Sequence, residues 1–367
     1  MLSRADQKEA FGCFTRMFPS RIPPGSACAS IFEVDTRLIL LRIHHVLAAT
    51  KKIIFLFSGQ GSQYYGMGRE LYEQHAGFRS WMDRGSEIAE RLLGISLSEL
   101  IYAKRESGAR FERTLYTHPA IFLLSHSLAM TLREEGITPS SLVGYSLGET
   151  TAWTVAGGMS FETAMDYVVR VARIVEEKTS RGSMLAILAP PSLWEDRREI
   201  FEGATLVGSN YSQHFVITGL EEDLARTQSW LKSEDVISQM LPVQHGWHSP
   251  LLESAKDELM AVSPRVAAHA AKLQVVSCAE SRVLDPEESG PEYWWRVLRD
   301  PIKFTQAILE MEKSPEPRVY IDVGPSGTLA GFVKNIIGRD NARAHMVLTP
   351  FGRDMRQLAR LKEELGM

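Results

Sequence analysis

The segment Gly144-Tyr145-Ser146-Leu147-Gly148 sets one serine between two glycines, just after the short apolar pair Leu142-Val143 and just before a helix-like stretch. Such a pattern requires the chain to turn sharply from strand to helix, with the serine at the tip and its hydroxyl clear of its neighbours. That turn is at home where a strand of an α/β sheet delivers the chain into a helix. Alone, the five residues also suit an ordinary tight turn, so the rest of the chain has to decide between the two.

The surrounding pattern is that of an α/β protein. Ile53 to Phe57 is a continuous apolar run, as a strand buried on both faces requires, and it leads directly into Ser58-Gly59-Gln60-Gly61-Ser62-Gln63. In an open parallel sheet, sites form at the carboxyl ends of strands, where such loops lie. Apolar spacing predicts helices over 118–133, 147–157 and 161–178, the last capped by Ser160, with a short strand at Leu142 and Val143. From about Ser183 to Leu241 the texture changes. Strand candidates at 184–188, 214–218 and 237–243 surround a polar helix over 220–233, giving a small α+β unit that interrupts the larger one. Strands at 273–277 and 318–323 then resume the sheet, the second ending in Gly324-Pro325-Ser326-Gly327. The expected fold is a large α/β-hydrolase-like domain with a parallel sheet, residues 51–182 and 246–367, plus an inserted small ferredoxin-like α+β domain, residues 183–245. A cleft between the two is the expected site.

Composition narrows the function classes. A chain of 367 residues with 44% hydrophobic and 23% charged residues and a net charge of -4 has no global attraction for nucleic acid or an anionic membrane. Cys13, Cys28 and Cys278 lack metal-ligand spacing and suit a reducing, cytoplasmic setting. Residues 1–50 read as an appendage of unpredicted order, with a cleavable targeting segment as the alternative. Their apolar patch, Leu38 to Ala48, is broken by Arg42, His44 and His45 and is too short and polar to span a bilayer.

A serine hydroxyl is a weak nucleophile at neutral pH and needs a base. Of the ten histidines, His248 in Gln244-His245-Gly246-Trp247-His248-Ser249-Pro250 lies where the chain leaves the small insertion and re-enters the cleft. A zinc shared by His245 and His248 finds no third ligand nearby in sequence.

The chain from about Lys51 to about Phe351 resembles the malonyl-CoA:acyl-carrier-protein transacylase family, which includes the acyltransferase domains of polyketide synthases. The resemblance rests on Phe57-Ser58-Gly59-Gln60-Gly61-Ser62-Gln63, His118-Pro119-Ala120, Gly144-Tyr145-Ser146-Leu147-Gly148-Glu149, Asn210, Trp247-His248-Ser249-Pro250 and Asp322-Val323-Gly324-Pro325-Ser326-Gly327, in the family's order. It implies a serine–histidine dyad with ping-pong chemistry. Ser146 is the nucleophile, His248 its base, and the backbone amides of Gln60 and Leu147 the oxyanion hole. The carbonyl that orients the imidazole matches Lys303, and Asn210 matches a position of the small domain near the site. No cofactor or metal is implied, since the phosphopantetheine arrives on the carrier protein.

Three positions depart from that pattern. Malonyl-using relatives place an arginine on the helix after the nucleophile to pair with the substrate carboxylate. Counting from Ser146 puts Val171 there, flanked by Arg170 and Arg173. A shift of one residue turns a side chain by about 100° around a helix, and an unpaired buried carboxylate costs about 1–3 kcal/mol or more. Tyr145 replaces the usual histidine before the nucleophile, and Trp247 precedes His248 in place of a smaller residue. The loss of the arginine is expected to disfavour a malonyl carboxylate, with a register slip that returns Arg170 to that role as the alternative, and the other two changes are expected to reshape the acyl pocket toward uncharged groups.

Within the family, the segments 58–65, 182–188, 214–219 and 324–334 resemble stand-alone acyltransferase homologues of polyketide synthases whose modules lack their own acyltransferase. Some of that branch remove acyl groups from stalled carriers. The expectation is therefore a cytoplasmic, monomeric acyl-thioester hydrolase acting on acyl carrier proteins of a polyketide synthase. The alternative is an acyltransferase that moves a neutral or unusual acyl group between CoA, or a carrier protein, and an acyl carrier protein. A non-catalytic docking partner is the third reading, opposed by the intact Ser146 and His248. Arg170, Arg173, Lys303 and Lys334 are candidate contacts for an acidic carrier.

Overall fold

The structure, a computed structural model, describes residues 51–104, 106 and 108–367; the appendage expected over residues 1–50, with Cys13 and Cys28, lies outside them. β1 (Lys52–Phe57) is the apolar run at the centre of the large unit, and its last four residues are buried. Parallel neighbours β2 (Ser141–Gly144) and β9 (Arg318–Asp322) flank it. β7 (Gln274–Ser277) and β10 (Ala344–Met346) extend the sheet in parallel, and β8 (Arg282–Val283) closes one edge antiparallel. The order β10-β9-β1-β2-β7-β8 places β1 and β2 side by side in the interior. The loop after β1 and the serine turn after β2 therefore emerge together at one end of the sheet.

Helices cover the sheet. Among them, α1 (Ala76–Leu93), α2 (Thr114–Glu134), α3 (Gly148–Ala156) and α4 (Phe161–Lys178) pack on one another. α2 and α3 are buried on nearly all sides, α2 through its largely apolar sequence and α3 with Glu149 and three threonines buried among its residues. Ser160 caps α4 as expected, its Oγ accepting the Thr163 N–H at 3.1 Å. After the insertion come α6 (Pro291–Arg299), α7 (Phe304–Glu312) and α8 (Thr328–Ile337), together with helices at Lys256–Ala261 and Asp354–Leu365.

The insertion is larger in strand content than its sequence pattern predicts. Four strands, β3 (Ser183–Ile187), β4 (Ala204–Tyr211), β5 (His214–Gly219) and β6 (Ser238–Met240), form an antiparallel sheet in the order β4-β5-β3-β6. With a short helix, Ser192–Asp196, after β3 and α5 (Glu221–Ser233) after β5, this is the βαββαβ arrangement of a ferredoxin-like unit. It has its own core around Leu185, Phe215, Ile217, Leu224 and Leu231. The chain enters and leaves through adjacent backbone, the Gly182 N–H donating to the Gln244 carbonyl at 3.1 Å. β4 escapes periodicity because Gly208, Ser209 and Asn210 are poor strand formers and its register shifts twice against β5.

The serine turn depends on close backbone approach. A Cβ on Gly148 would lie 2.0 Å from the Phe57 carbonyl oxygen, and one on Gly144 would lie 2.4 Å from Glu149 Cα. Both glycines are therefore required by space. Gly148→Ala is expected to destabilise the protein by at least about 1–3 kcal/mol in urea unfolding. Gly331→Ala, in α8 with nothing within 4 Å of the added carbon, should stabilise it by about 0.4–1 kcal/mol. Equal effects of the two substitutions would contradict this packing.

Candidate active site

Ser146 sits on the turn between β2 and α3 with φ of 56°, a left-handed conformation that a serine rarely adopts. The turn is held by the Gly148 N–H on the Tyr145 carbonyl, 3.0 Å, the Glu149 N–H on the Ser146 carbonyl, 2.8 Å, and the Tyr145 N–H on the Phe57 carbonyl, 2.9 Å. Strain of this kind persists only where the surroundings over-determine it. Here they do.

His248 reaches the serine from the segment that leaves the insertion. Its Nε2 is 2.8 Å from Ser146 Oγ, and it too is left-handed, with φ of 60°. The backbone N–H of His248 donates to the Leu298 carbonyl at 3.0 Å. Its Nδ1 lies 2.8 Å from the Asp300 carbonyl oxygen. A carbonyl only accepts, so Nδ1 carries the proton and Nε2 presents its lone pair to the serine. Burial lowers the His248 pKa from 6.5 to about 4, with Arg299 adding to the decrease and the Asp300 bond opposing it. The ring is neutral at physiological pH, the state a general base requires.

The orienting carbonyl corrects the sequence-based expectation. It belongs to Asp300, while the Lys303 carbonyl accepts the Ala307 N–H at 3.0 Å within the start of α7. The reason is local: α6 ends at Arg299, and extended Asp300 turns its carbonyl out of the helix. Lys303 instead donates its N–H to the Cys278 carbonyl at 2.8 Å.

The loop after β1 closes over the turn. A Cβ on Gly59 would meet the Tyr145 carbonyl at 2.9 Å and Ser146 Cβ at 3.2 Å, so only glycine lets this loop lie against the nucleophile. The side chain of Gln60 donates to His118 Nδ1 at 2.6 Å and contacts Thr117 Oγ1 at 3.1 Å. Gln63 spends its amide on the Phe111 and Pro242 carbonyls, at 3.0 and 2.7 Å, and accepts the Gly61 N–H at 2.8 Å. Neither the Gln60 nor the Leu147 backbone N–H donates to another described residue.

The remaining expected residues are held in different parts of the fold. Tyr145 donates its hydroxyl to Asn210 Oδ1 at 3.1 Å, and Asn210 Nδ2 donates to His214 Nδ1 at 3.1 Å. This relay ties the serine turn to the small unit. Trp247 is buried and stacks on His118, with ring centroids 4.8 Å apart. Its indole N–H has no partner among the described residues. Val171 is buried in the main core. Neither neighbouring arginine replaces it: Arg170 is exposed and paired with Asp166 at 2.8 Å, and exposed Arg173 donates to the Leu92 carbonyl at 3.2 Å. His245 Nδ1 is occupied by Thr179 Oγ1 at 3.0 Å.

Glu149 was legible in sequence only as part of the glycine–serine motif, and its environment is a finding of the structure. Its buried carboxylate accepts the Ala279 N–H at 2.9 Å, the Ser277 hydroxyl at 3.1 Å and the Tyr293 hydroxyl, fastening the first turn of α3 to the end of β7. Burial raises its pKa to about 7 despite those hydrogen bonds. His118, a second buried histidine of the site, is lowered to about 3 by burial.

A strand–turn–helix serine hydrogen-bonded to an oriented neutral histidine equips the site for covalent acyl transfer. The chain belongs to the acyltransferase family, the family model described as "Acyl transferase domain" matching residues 54–365. It is a serine–histidine enzyme that forms an acyl-serine intermediate. It is 36% identical over 315 residues to the polyketide biosynthesis acyltransferase homolog BaeD of Bacillus velezensis, covering 85% of this chain and 96% of that one. It is 37% identical over 309 residues to the homolog PksD of Bacillus subtilis, covering 83% and 94%. MCAT from Streptococcus pneumoniae superposes with a TM-score of 0.70 at 29% identity, covering 85% of this chain and 100% of that one. The loading acyltransferase of the avermectin modular polyketide synthase shares the fold, with a TM-score of 0.77 at 22% identity over 86% and 100%. Among the described residues, no helix is long and apolar enough to cross a membrane.

Two predictions follow from this geometry. The rate of Ser146 labelling by a fluorophosphonate should be flat between about pH 6 and 8 and fall only as pH approaches about 4, where His248 takes up a proton; a midpoint near the ordinary 6.5 would contradict the buried, neutral imidazole. Tyr145→Phe strands the buried Asn210 oxygen, and denaturant unfolding should show a loss of about 1–3 kcal/mol.

Proposed function

We propose that the chain is an acyltransferase that moves an uncharged acyl group from a thioester donor to the thiol of an acyl carrier protein in polyketide biosynthesis. Ser146 attacks the thioester carbonyl as His248 takes the hydroxyl proton, and the donor thiol leaves carrying that proton. The carrier thiol then attacks the acyl-Ser146 ester as His248 takes the thiol proton; the acyl–Oγ bond breaks, and the serine oxygen leaves with that proton from His248. The backbone N–H groups of Gln60 and Leu147, free of other partners among the described residues, bind the oxyanion in both steps. Tyr145, Asn210, Trp247 and Val171 shape the acyl pocket. The observation that carries the reading is the 2.8 Å contact between Ser146 Oγ and a histidine fixed in the base tautomer by the Asp300 carbonyl.

The preference for an uncharged group rests on charge. His248, His118 and His214 are all held neutral by burial, and Arg170 and Arg173 are tied to the outer face of α4. A carboxylate beside Ser146 would meet none of these as cations, and desolvating it without a partner is costly. Transfer takes precedence over the hydrolysis expected from sequence because the matching relatives are named acyltransferase homologs or an acyltransferase. An acyl-carrier protein in complex with its malonyl-transacylase is described for one structural neighbour, which supports a carrier as the partner here. Hydrolysis differs only in water, not a thiol, reaching the same acyl-enzyme.

Intact mass spectrometry distinguishes the two. Acetyl-, butyryl- and malonyl-loaded carrier is incubated with the enzyme, with and without a second, unloaded carrier, and with Ser146→Ala as control. The acyl mass should move to the second carrier, faster for acetyl and butyryl than for malonyl, and not at all with the control. Release of free acid regardless of acceptor would establish the hydrolase, and preference for malonyl would overturn the role given to Val171.

A further inference from the structure

A cavity of about 550 Å³ opens at the far end of α3, lined by Thr154 to Gly157 and by residues of α1, α2 and α4. Ser146 precedes the first residue of this helix. At a rise of about 1.5 Å per residue, α3 separates the two places by more than 10 Å. The cavity is therefore distinct from the acyl site.

Its walls combine aromatic surface with unpaired positive charge. His126 is 6% exposed and lies between Phe161, with centroids 4.8 Å apart, and Trp81, at 5.8 Å edge-on. Neither of its ring nitrogens is hydrogen-bonded to a described residue. Arg84 stands over the Trp81 ring at 5.8 Å. Arg133 reaches in from α2, spending one nitrogen on the Val155 carbonyl at 3.1 Å, and Lys272, whose backbone N–H donates to the Ala156 carbonyl at 2.8 Å, also lines the cavity. None of the three cations has an ion pair among the described residues, so their charge is uncompensated where they converge on the cavity. Glu162 is the single carboxylate of the lining.

We propose that this cavity is a second ligand site, which takes a small amphiphilic anion: a flat aromatic or short apolar body against Trp81, His126 and Phe161, with a carboxylate, sulfonate or phosphate held by Arg84 and Lys272. An apolar cavity with a few convergent polar groups is the usual form of a small-molecule site. Arginine over an aromatic ring adds a cation–π face that a flat ligand extends. The positive field is also felt at His126, where Arg133 and Arg84 add to the lowering of its pKa by burial. An anion at this place would relieve that field and give the unpartnered imidazole a neighbour.

The test uses the full chain with 8-anilinonaphthalene-1-sulfonate and its neutral counterpart N-phenyl-1-naphthylamine, read by probe fluorescence. Ser146 is first blocked with a fluorophosphonate, so that binding in the acyl site is removed. The sulfonate should bind the blocked protein at least tenfold more tightly than the neutral amine. The double variant Arg84→Gln/Lys272→Gln, at two exposed positions that the fold tolerates, should lose at least tenfold for the sulfonate and little for the amine. Met130→Trp, which fills the cavity, should weaken both. Sulfonate binding that vanishes on blocking Ser146, or that is indifferent to both variants, would overturn the proposal.

Discussion

The site depends on a contact made without side chains: the backbone of Gly148 lies against the carbonyl of Phe57, where even a methyl group would not fit. That contact draws the start of α3 onto the end of β1 and forces Ser146 into a left-handed turn. Gly59 makes the reciprocal approach from the β1 loop. Between them, the two glycines bring a nucleophile and a loop with free backbone amides to the same end of the same sheet. The carboxylate of Glu149, hydrogen-bonded to the Ala279 N–H and to Ser277, holds α3 in that position from the other side.

The base comes from a different layer. His248 is presented by a turn that follows the small unit, and its tautomer is set by a main-chain carbonyl at the end of α6. A carbonyl oxygen orients the ring as a carboxylate would, without placing a second buried charge in the site, which would be expensive to desolvate. The cost of this choice is weaker stabilisation of the imidazolium that forms during proton transfer. A buried ring with a lowered pKa is accordingly a base always ready to accept but reluctant to retain the proton, which suits a reaction that returns it to a leaving thiol.

Much of this was legible in the sequence where a residue's role is local. The strand–turn–helix around Ser146, the cap of α4 by Ser160 and strands β1, β2, β7 and β9 of the main sheet follow from apolar runs and glycine placement, and the structure has them within a few residues, whereas the short edge strands β8 and β10 carry no such signal. The interruption by a small α+β unit was also readable from its change in texture. β4 was not, because its strand character comes from pairing with β5 and from the pressure of Ile302 on Gly208, neither of which is written in periodicity. The orienting carbonyl was misplaced by three residues for a similar reason: every residue has a carbonyl, and only the end of α6 decides which one is free. Gln63, Glu149 and the Tyr145–Asn210–His214 relay are polar side chains satisfied across long sequence separations, and motif reading registers their presence without showing their partners.

The most direct test of the account is to locate the acyl group on the enzyme. The protein would be mixed with a butyryl thioester, quenched in acid before turnover completes, digested and mapped by mass spectrometry. The account predicts a butyryl adduct on the peptide containing Ser146, greatly reduced when His248 is replaced by alanine. An adduct on another residue, or one on Ser146 that forms equally fast without His248, would contradict the central claim that this pair is the acyl-transfer machinery.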